Sequence, residues 1–432
     1  MMNYTQHFKN KKVLITGHTG FKGSWLCKWL SLLGADLYAV SLDIPTSPSH
    51  YELLNINFKS DERYDISSFD YIYKSIEVIR PDFIFHLAAQ PLVLKSYENP
   101  YATYMSNSMG TLNILESLKR QNHVCSTVII TSDKCYENIG KKVDYSEEDR
   151  LGGIDPYSTS KASAELIFKG YCNAFFNTSK SNVRIASARA GNVIGGGDWA
   201  IDRIVPDCMK SWSKQENVIL RNPTATRPWQ HVLEPINGYL KLAVELTNND
   251  KINCESFNFG PIEPISYTVE NLVSELSEFF EGSKWSIEDD ANNLYEANLL
   301  SLNCNKAFKL LNFRSKLNFK LTSEWTSKWY SSFYKKNMRE HSKFTEQQIM
   351  ELYQKNPEAM ASIRAPLFED KIVDFITEMA TVTEKSISPE DLMAGPEKIV
   401  NSKPKKDTEK ASKKKTAKTK AKKVEPQKNK EE

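Results

Sequence analysis

Val13-Leu14-Ile15-Thr16-Gly17-His18-Thr19-Gly20-Phe21-Lys22-Gly23 is the stretch on which the reading of this chain turns. A short apolar run stops at three glycines spaced three apart, and an amphipathic run follows. That order spells a buried strand, a tight turn and a helix N-terminus. Backbone N–H groups at such a turn approach a pyrophosphate closely, and the helix dipole favours its negative charge. The spacing is Gly-x-x-Gly-x-x-Gly rather than the commoner Gly-x-Gly-x-x-Gly, so the surrounding sequence has to decide its meaning.

Working outward, Phe21, Trp25, Trp29 and Leu33 recur every four residues, which predicts one helix face packed on a sheet. Gly34 fits the end of that helix. Leu37 to Leu42 reads as the next strand, closed by Asp43, twenty residues after Gly23. An acid at that distance can accept hydrogen bonds from the ribose hydroxyls of NAD, and no Arg or Lys between Asp43 and His50 offers to bind a 2′-phosphate. The plain alternative is a turn or cap aspartate. Tyr64-Asp65-Ile66 ends a weaker extended stretch. Phe83 to Leu87 is another buried strand, running into Ala88-Ala89-Gln90, where small residues let a flat ring approach the backbone. Tyr104 to Leu118 reads as a helix, and Val128 to Thr131 as a strand opening into Ser132-Asp133-Lys134. Strands alternating with helices predict a doubly wound parallel sheet, which places its site at the carboxyl ends of the strands.

Tyr157-Ser158-Thr159-Ser160-Lys161 then leads into a helical pattern. Residues four apart share a helix face. An ammonium beside a phenol favours the phenolate and is expected to lower its pKa toward neutrality, making Tyr157 a usable general base. Such a pair is common by chance. Behind a glycine loop, an acid after the second strand and a polar strand end, it reads as a redox site.

With these motifs in place, residues 10 to about 335 resemble the extended short-chain dehydrogenase/reductases of the nucleotide-sugar-modifying branch. The resemblance rests on Thr16 to Gly23, on His86-Leu87-Ala88-Ala89, and on Tyr157 with Lys161. Three longer stretches resemble the branch of 4,6-dehydratases that acts on CDP-glucose. They are Ser132-Asp133-Lys134, Arg189-Ala190-Gly191-Asn192-Val193-Ile194-Gly195-Gly196-Gly197-Asp198-Trp199, and Arg227-Pro228-Trp229-Gln230-His231-Val232.

The resemblance implies NAD held by Gly17, Thr19, Gly20, Phe21, Gly23, Asp43, Asp65, Ile66, Leu87, Ala88, Ala89, Tyr157 and Lys161. It implies a nucleotide-sugar held by Gln90, Asn192, Arg203, Arg227 and His231. The implied reaction removes water from the hexose by internal hydride transfer, with the cofactor regenerated and retained each turnover. Tyr157 takes the 4-hydroxyl proton, Ser132 bonds the 4-oxygen, and Asp133, kept protonated by burial, protonates the departing 6-hydroxyl. Lys134 stands where related dTDP-glucose enzymes carry a carboxylate base, so it has to be neutral to take the carbon-5 proton. An epimerase or decarboxylase of the same fold is the alternative, and Ser132-Asp133-Lys134 argues against it. Read from the residues alone, Arg203 and Arg227 fit either paired hydrogen bonds to a diphosphate or ordinary ion pairs. His231, a lone histidine beside apolar residues, fits a structural role as well as a ligand contact.

Length and composition agree with that picture. At 432 residues the chain has room for two domains or one with extensions. The expected division is a Rossmann-like NAD domain at 1–190 and a mainly substrate-binding α/β domain at 191–336. A helical segment at 337–400 and a disordered tail at 401–432 follow. Residues 403–432 carry thirteen lysines against five acids, leaving about −5 on the rest of a chain whose total is +3. That body is not the surface of a nucleic-acid binder, and the tail reads as solvated chain. The seven cysteines have no Cys-x-x-Cys pair and predict reduced cytoplasmic thiols with no zinc site. No leader or membrane span is read near the start. A homodimer is usual for the family.

Beyond Lys335 the character changes. Ile349, Leu352 and Tyr353 share a helical face, and Leu367, Ile372, Phe375, Ile376 and Met379 make a second run. Residues 343–392 resemble the C-terminal end of the bacterial chaperone trigger factor. The similarity runs through Tyr353-Gln354-Lys355-Asn356-Pro357-Glu358, the stretch Ile363 to Ile376, and Val382-Thr383-Glu384-Lys385. The expectation is a fusion of a nearly whole enzyme with a chaperone remnant, dispensable for chemistry.

Overall fold

The computed structural model describes residues 4–138, 144–178, 181–220, 222–261, 267–287 and 301–335. The expected segments 337–400 and 401–432 lie outside the described residues.

Seven strands form one parallel sheet: β1 (Lys12–Thr16), β2 (Asp36–Ser41), β3 (Ser60–Arg63), β4 (Phe83–His86), β5 (Cys125–Ile130), β6 (Val183–Ala190) and β7 (Ser256–Phe259). Their spatial order is β7-β6-β5-β4-β1-β2-β3, with every pairing parallel. The chain builds outward from β1 to β3, then returns to the other side of β1 with β4. That reversal opens a crevice at the carboxyl ends of β1 and β4, where such sheets bind ligands.

Alternation along the central strands feeds two cores. Val13 and Ile15 of β1 join Phe83, Phe85, Val128 and Ile130 on one face, under helices Phe21–Leu32 and Leu233–Leu246. Leu14, Ile84, Ile129 and Ile185 point to the other face, under helices Phe69–Ile79, Gly110–Lys119 and Pro156–Tyr171. A strand buried on both sides reads as a continuous apolar run because both alternating sets face protein.

Three expectations need correction. The every-four stripe is not the sheet-facing side of helix Phe21–Leu32: the buried side chains there are Ser24, Leu26, Cys27 and Leu30. Phe21, Trp25, Trp29 and Leu33 are half-buried along its flank. All four still pack against the core on that face of the sheet, while Trp25 Nε1 also donates to Gly196 O at 2.9 Å and Trp29 meets Tyr4 edge-on, so the aromatic side holds neighbouring chain as well as the sheet. The helix expected over 104–118 begins at Pro100 and is interrupted by a π-helical turn, Met105–Met109, between Pro100–Tyr104 and Gly110–Lys119. The extended stretch before Ile66 ends as β3 at Arg63.

A third core gathers Val205, Cys208, Met209, Trp212, Leu272, Leu276, Trp329, Tyr330 and Phe333. It lies between helices Ile204–Ser213, Val269–Glu278 and Phe319–Lys335, with pairs of two- and three-residue strands at its edges. Helix Leu233–Leu246 and β7, both from the stretch after residue 190, return to cover and extend the main sheet.

Candidate active site

The glycine turn is built by close approach. Gly17 has φ +77°, and a Cβ there would lie 2.6 Å from Ala88 N, so the β1 turn presses directly on the chain leaving β4. A Cβ on Gly23 would lie 2.1 Å from Gly17 O, which packs the helix start under the turn. Gly20 serves as N-cap without a side chain, and nothing caps the first N–H groups of helix Phe21–Leu32. Uncapped N–H groups at a helix start are what an anionic group needs. The Thr19 hydroxyl donates to Asp43 O at 2.7 Å and so ties the end of β2 to the turn, leaving the Asp43 carboxylate exposed beside it. Ile66 is buried against Gly110, and Asp65 Oδ1 accepts the Ser67 N–H at 2.8 Å. The residues present therefore fit a dinucleotide: an open turn for its pyrophosphate, an exposed carboxylate at the β2 end, and small residues at Ala88 and Ala89.

At the end of β5, the Ser132 hydroxyl donates to Asp133 Oδ1 at 3.0 Å and accepts the Lys134 N–H at 3.2 Å. Asp133 is 1 % exposed, and its Oδ2 has no hydrogen-bond partner among the described residues. A Cβ on Gly191 would stand 3.0 Å from that oxygen. Tyr157 and Lys161 are both buried on helix Pro156–Tyr171, whose start is fixed by an Asp155/Ser158 capping box. Ser132 stands near enough to the Tyr157 hydroxyl to favour its ionised form.

The electrostatics correct one expectation. Burial pushes the Tyr157 phenol up to about 12, against the opposing pull of Ser132 and Arg203. Lys161 does not lower it in the ligand-free site, because desolvation of a phenolate outweighs the charges nearby. Lys161 itself is driven down to about 8 by burial and by the neighbouring charge of Lys22.

The substrate-side residues divide. Gln90 spends its side chain locally: Nε2 donates to Leu92 O and to Thr103 Oγ1, both at 3.0 Å, and Oε1 accepts the Leu92 N–H. Asn192 is half-buried beside Gly191, and its carbonyl accepts the Gln230 N–H. Arg203 pairs with Asp198 at 2.7 Å while its charge acts on Tyr157, so it is an ion pair at the site's edge. Arg227 is buried, with Nη1 donating to Thr226 O. His231 is 4 % exposed, accepts the Leu233 N–H on Nδ1 and meets Trp325 edge-on. Burial lowers its pKa to about 3. These are the contacts of a structural histidine.

Two residues of the site escape the sequence reading. Lys22 projects from the first helical turn into the field of Asp133, Arg203 and Lys134, and burial with those cations lowers its amine to about 8. Its position inside the glycine motif, where an apolar residue would serve packing equally well, was the available signal. Asn107 lies in the π-helical turn. Its Oδ1 accepts the Gln90 N–H at 2.7 Å, and its Nδ2 donates to Gln90 O at 3.1 Å and to Ser160 Oγ at 2.9 Å. It thereby ties the β4 exit to the turn between Tyr157 and Lys161. A run of Ser106-Asn107-Ser108 inside an otherwise packed helix was its only mark. Among the described residues no cluster of His, Cys, Asp and Glu could hold a metal ion.

The protein-family profile for GDP-mannose 4,6-dehydratase matches residues 14–324. The CDP-glucose 4,6-dehydratase of Salmonella typhimurium is 44% identical over 305 residues, covering 69% of this chain and 85% of that protein. The crystal structure of UDP-glucuronic acid 4-epimerase from Bacillus cereus, in complex with UDP-glucuronic acid and NAD, shares the fold. Its TM-score is 0.62 at 22% identity, over 74% of this chain and 99% of that one. A separate stretch of 47 residues is 64% identical to trigger factor of Nitrobacter winogradskyi, covering 11% of this chain and 10% of that protein. The profile match over residues 14–324, together with the 44% identical relative, shows that the chain belongs to the GDP-mannose 4,6-dehydratase family.

Proposed function

We propose that this chain converts CDP-glucose to its 4-keto-6-deoxy derivative by dehydration, with NAD as a retained cofactor. The observation that carries the reading is the convergence of Tyr157, Ser132 and the buried Asp133 carboxyl at the end of β5, opposite the open glycine turn. An epimerase needs the tyrosine but has no use for an acid buried beside it.

NAD, when bound, supplies an oxidant for carbon 4 and a reductant for carbon 6 in one cycle. Gly17, Gly20, Gly23 and Phe21 would hold its pyrophosphate, and Asp43 its adenosine ribose. Tyr157 takes the 4-hydroxyl proton. Ser132 and Arg203 oppose the cost of its buried phenolate, and the positive nicotinamide acts in the same direction. Ser132 then hydrogen-bonds the 4-oxygen. The new ketone acidifies carbon 5, whose proton goes to Lys134, while Asp133 delivers a proton to the departing 6-hydroxyl from Oδ2, the oxygen left without a partner. Arg203 and Arg227 flank the diphosphate, with Asn192 beside the sugar. Gln90 shapes the entrance through its loop.

The assembly we propose is a cytoplasmic homodimer. Leu94, Tyr97, Tyr101 and Leu166 are exposed on helical segments that pack on one another beside the site. A second copy is the partner that covers such a face in this family. Among the described residues no helix is long and apolar enough to cross a membrane. The product, a 4-keto-6-deoxy sugar nucleotide, feeds deoxysugar synthesis for surface polysaccharide.

Incubation with CDP-, dTDP-, GDP- and UDP-hexoses, followed by mass spectrometry, tests the reading. Loss of one water from the CDP sugar alone is expected, and no loss from any of the four overturns it. Tyr157→Phe is expected to abolish turnover while nucleotide binding persists.

A further inference from the structure

Arg189 opens one of the longest motif stretches in the chain, yet it does not reach the substrate side. It is 3 % exposed within β6, and its Nη2 pairs with Glu165 Oε2 at 2.7 Å. Glu165 is 1 % exposed and stands on helix Pro156–Tyr171, four residues after Lys161 and eight after Tyr157. That spacing puts all three on one face of the helix. Glu165 Oε1 accepts the Thr131 hydroxyl at 2.5 Å. Its Oε2 accepts from Ser187 at 2.9 Å on β6 and from Ser256 at 3.2 Å on β7. On the arginine side, Nη1 donates to the Tyr136 hydroxyl at 2.9 Å, which in turn donates to Asn258 Oδ1 at 2.7 Å.

Thr131 and Tyr136 are the residues on either side of the segment that holds Ser132, Asp133 and Lys134. Each flank is hydrogen-bonded to one half of a single buried ion pair, and the acidic half rides on the helix that carries Tyr157 and Lys161. We propose that Glu165 and Arg189 are positioning residues: a brace that fixes the acid/base segment at the end of β5 against the Tyr157/Lys161 helix.

Stability alone does not account for the pair. Desolvating two charges offsets much of their attraction, and well-packed apolar side chains of similar volume serve a core as well or better. An apolar core lacks direction, whereas the carboxylate and guanidinium set bond vectors across three strands and a helix. Burial alone would push the Glu165 carboxyl up, but Arg189 and the hydroxyl donors bring it below its ordinary value. The brace is therefore charged throughout the neutral range.

The brace is tested in the full chain by Thr131→Val and Tyr136→Phe, each of which removes one hydroxyl and leaves the ion pair intact. The activity arm rests on the dehydratase reading. Each variant is expected to lower kcat about tenfold or more, since small displacements of catalytic groups carry that cost. KM should stay within about twofold, the signature of a loss felt only in the transition state. Thr131→Ser, which keeps the hydroxyl, should restore kcat. Amide hydrogen exchange supplies a readout independent of any substrate: Thr131→Val should speed exchange across residues 132–136 and leave β1 unchanged. Parental kcat in both variants with only a lower melting temperature overturns the brace. So does unchanged exchange at 132–136, whether or not the chain proves to be a dehydratase.

Discussion

Lys22 stands in the field of Asp133, Arg203 and Lys134, and its own charge depresses Lys161. The two lysine amines fall from 10.5 to about 8 on folding, with burial as the main cause. Between those values the unfolded lysines bind protons that the folded ones do not, so their contribution favours the folded chain as pH rises from about 8 toward 10. The buried thiols of Cys27, Cys125, Cys135 and Cys208, pushed up by burial, act in the opposite direction over the same window, so the lysine part is read as a difference between variants. Lys22→Met removes one of the two lysine contributions, so its urea midpoint should gain less than the parent's, or lose more, between about pH 8 and 10, and it should raise the Lys161 amine, readable by pH-dependent acetylation. A Lys161 titration that ignores Lys22→Met would show that the two charges do not communicate.

At the scale of the element, the glycine turn separates two kinds of glycine. A methyl at Gly23 would meet the Gly17 carbonyl at 2.1 Å, backbone against backbone, with no side chain free to yield. Gly23→Ala is expected to cost about 1–3 kcal/mol, the range of overpacking, and to release the cofactor. Gly20 faces open space apart from Gly17 O at 3.4 Å, so Gly20→Ala should unfold at the parental urea midpoint. Its effect should appear only as weaker nucleotide binding, by calorimetry. Equal destabilisation by both changes would mean that the turn has no open side.

Across the whole molecule, three buried histidines set the acid limit. His50, His86 and His231 each fall to about 3 through burial. Their unfolded forms take up protons near 6.5, so stability is lost as pH drops from there toward 3, by up to about 1.4 kcal/mol per pH unit for each histidine. His231→Asn should reduce the slope of urea midpoint against pH over that range. The C-terminal stretch stands apart from this ledger. A chain ending at Lys336 should keep full turnover and cofactor, because every group of the proposed mechanism lies between Gly17 and Arg227. Loss of turnover on that truncation would give the trigger-factor-like segment a part in the enzyme.

Local sequence determined a good deal of this protein. Buried parallel strands show as short apolar runs because both faces meet protein; β1, β2 and β4 were legible within a residue or two, whereas β5 begins at Cys125, three residues before the strand read from Val128. Tyr157, Lys161, Ser132 and Asp133, the groups of the proposed mechanism, were picked out because that chemistry requires particular residue types at strand ends and at helical spacing. Tertiary structure decided what depends on distant partners. Spacing placed the aromatic stripe of helix Phe21–Leu32 on the sheet core, where it packs as a half-buried flank, but that Trp25 also ties down the loop at Gly196 was not legible. Proximity to Lys161 promised a lowered Tyr157, but burial outweighed it. Arg189, legible only as the first residue of a motif stretch, lies behind the Ser132-Asp133-Lys134 segment with Glu165 as partner. Periodicity reports which side of an element is apolar, whereas solvation and pairing follow from which chain lies opposite, and only the fold brings those chains together.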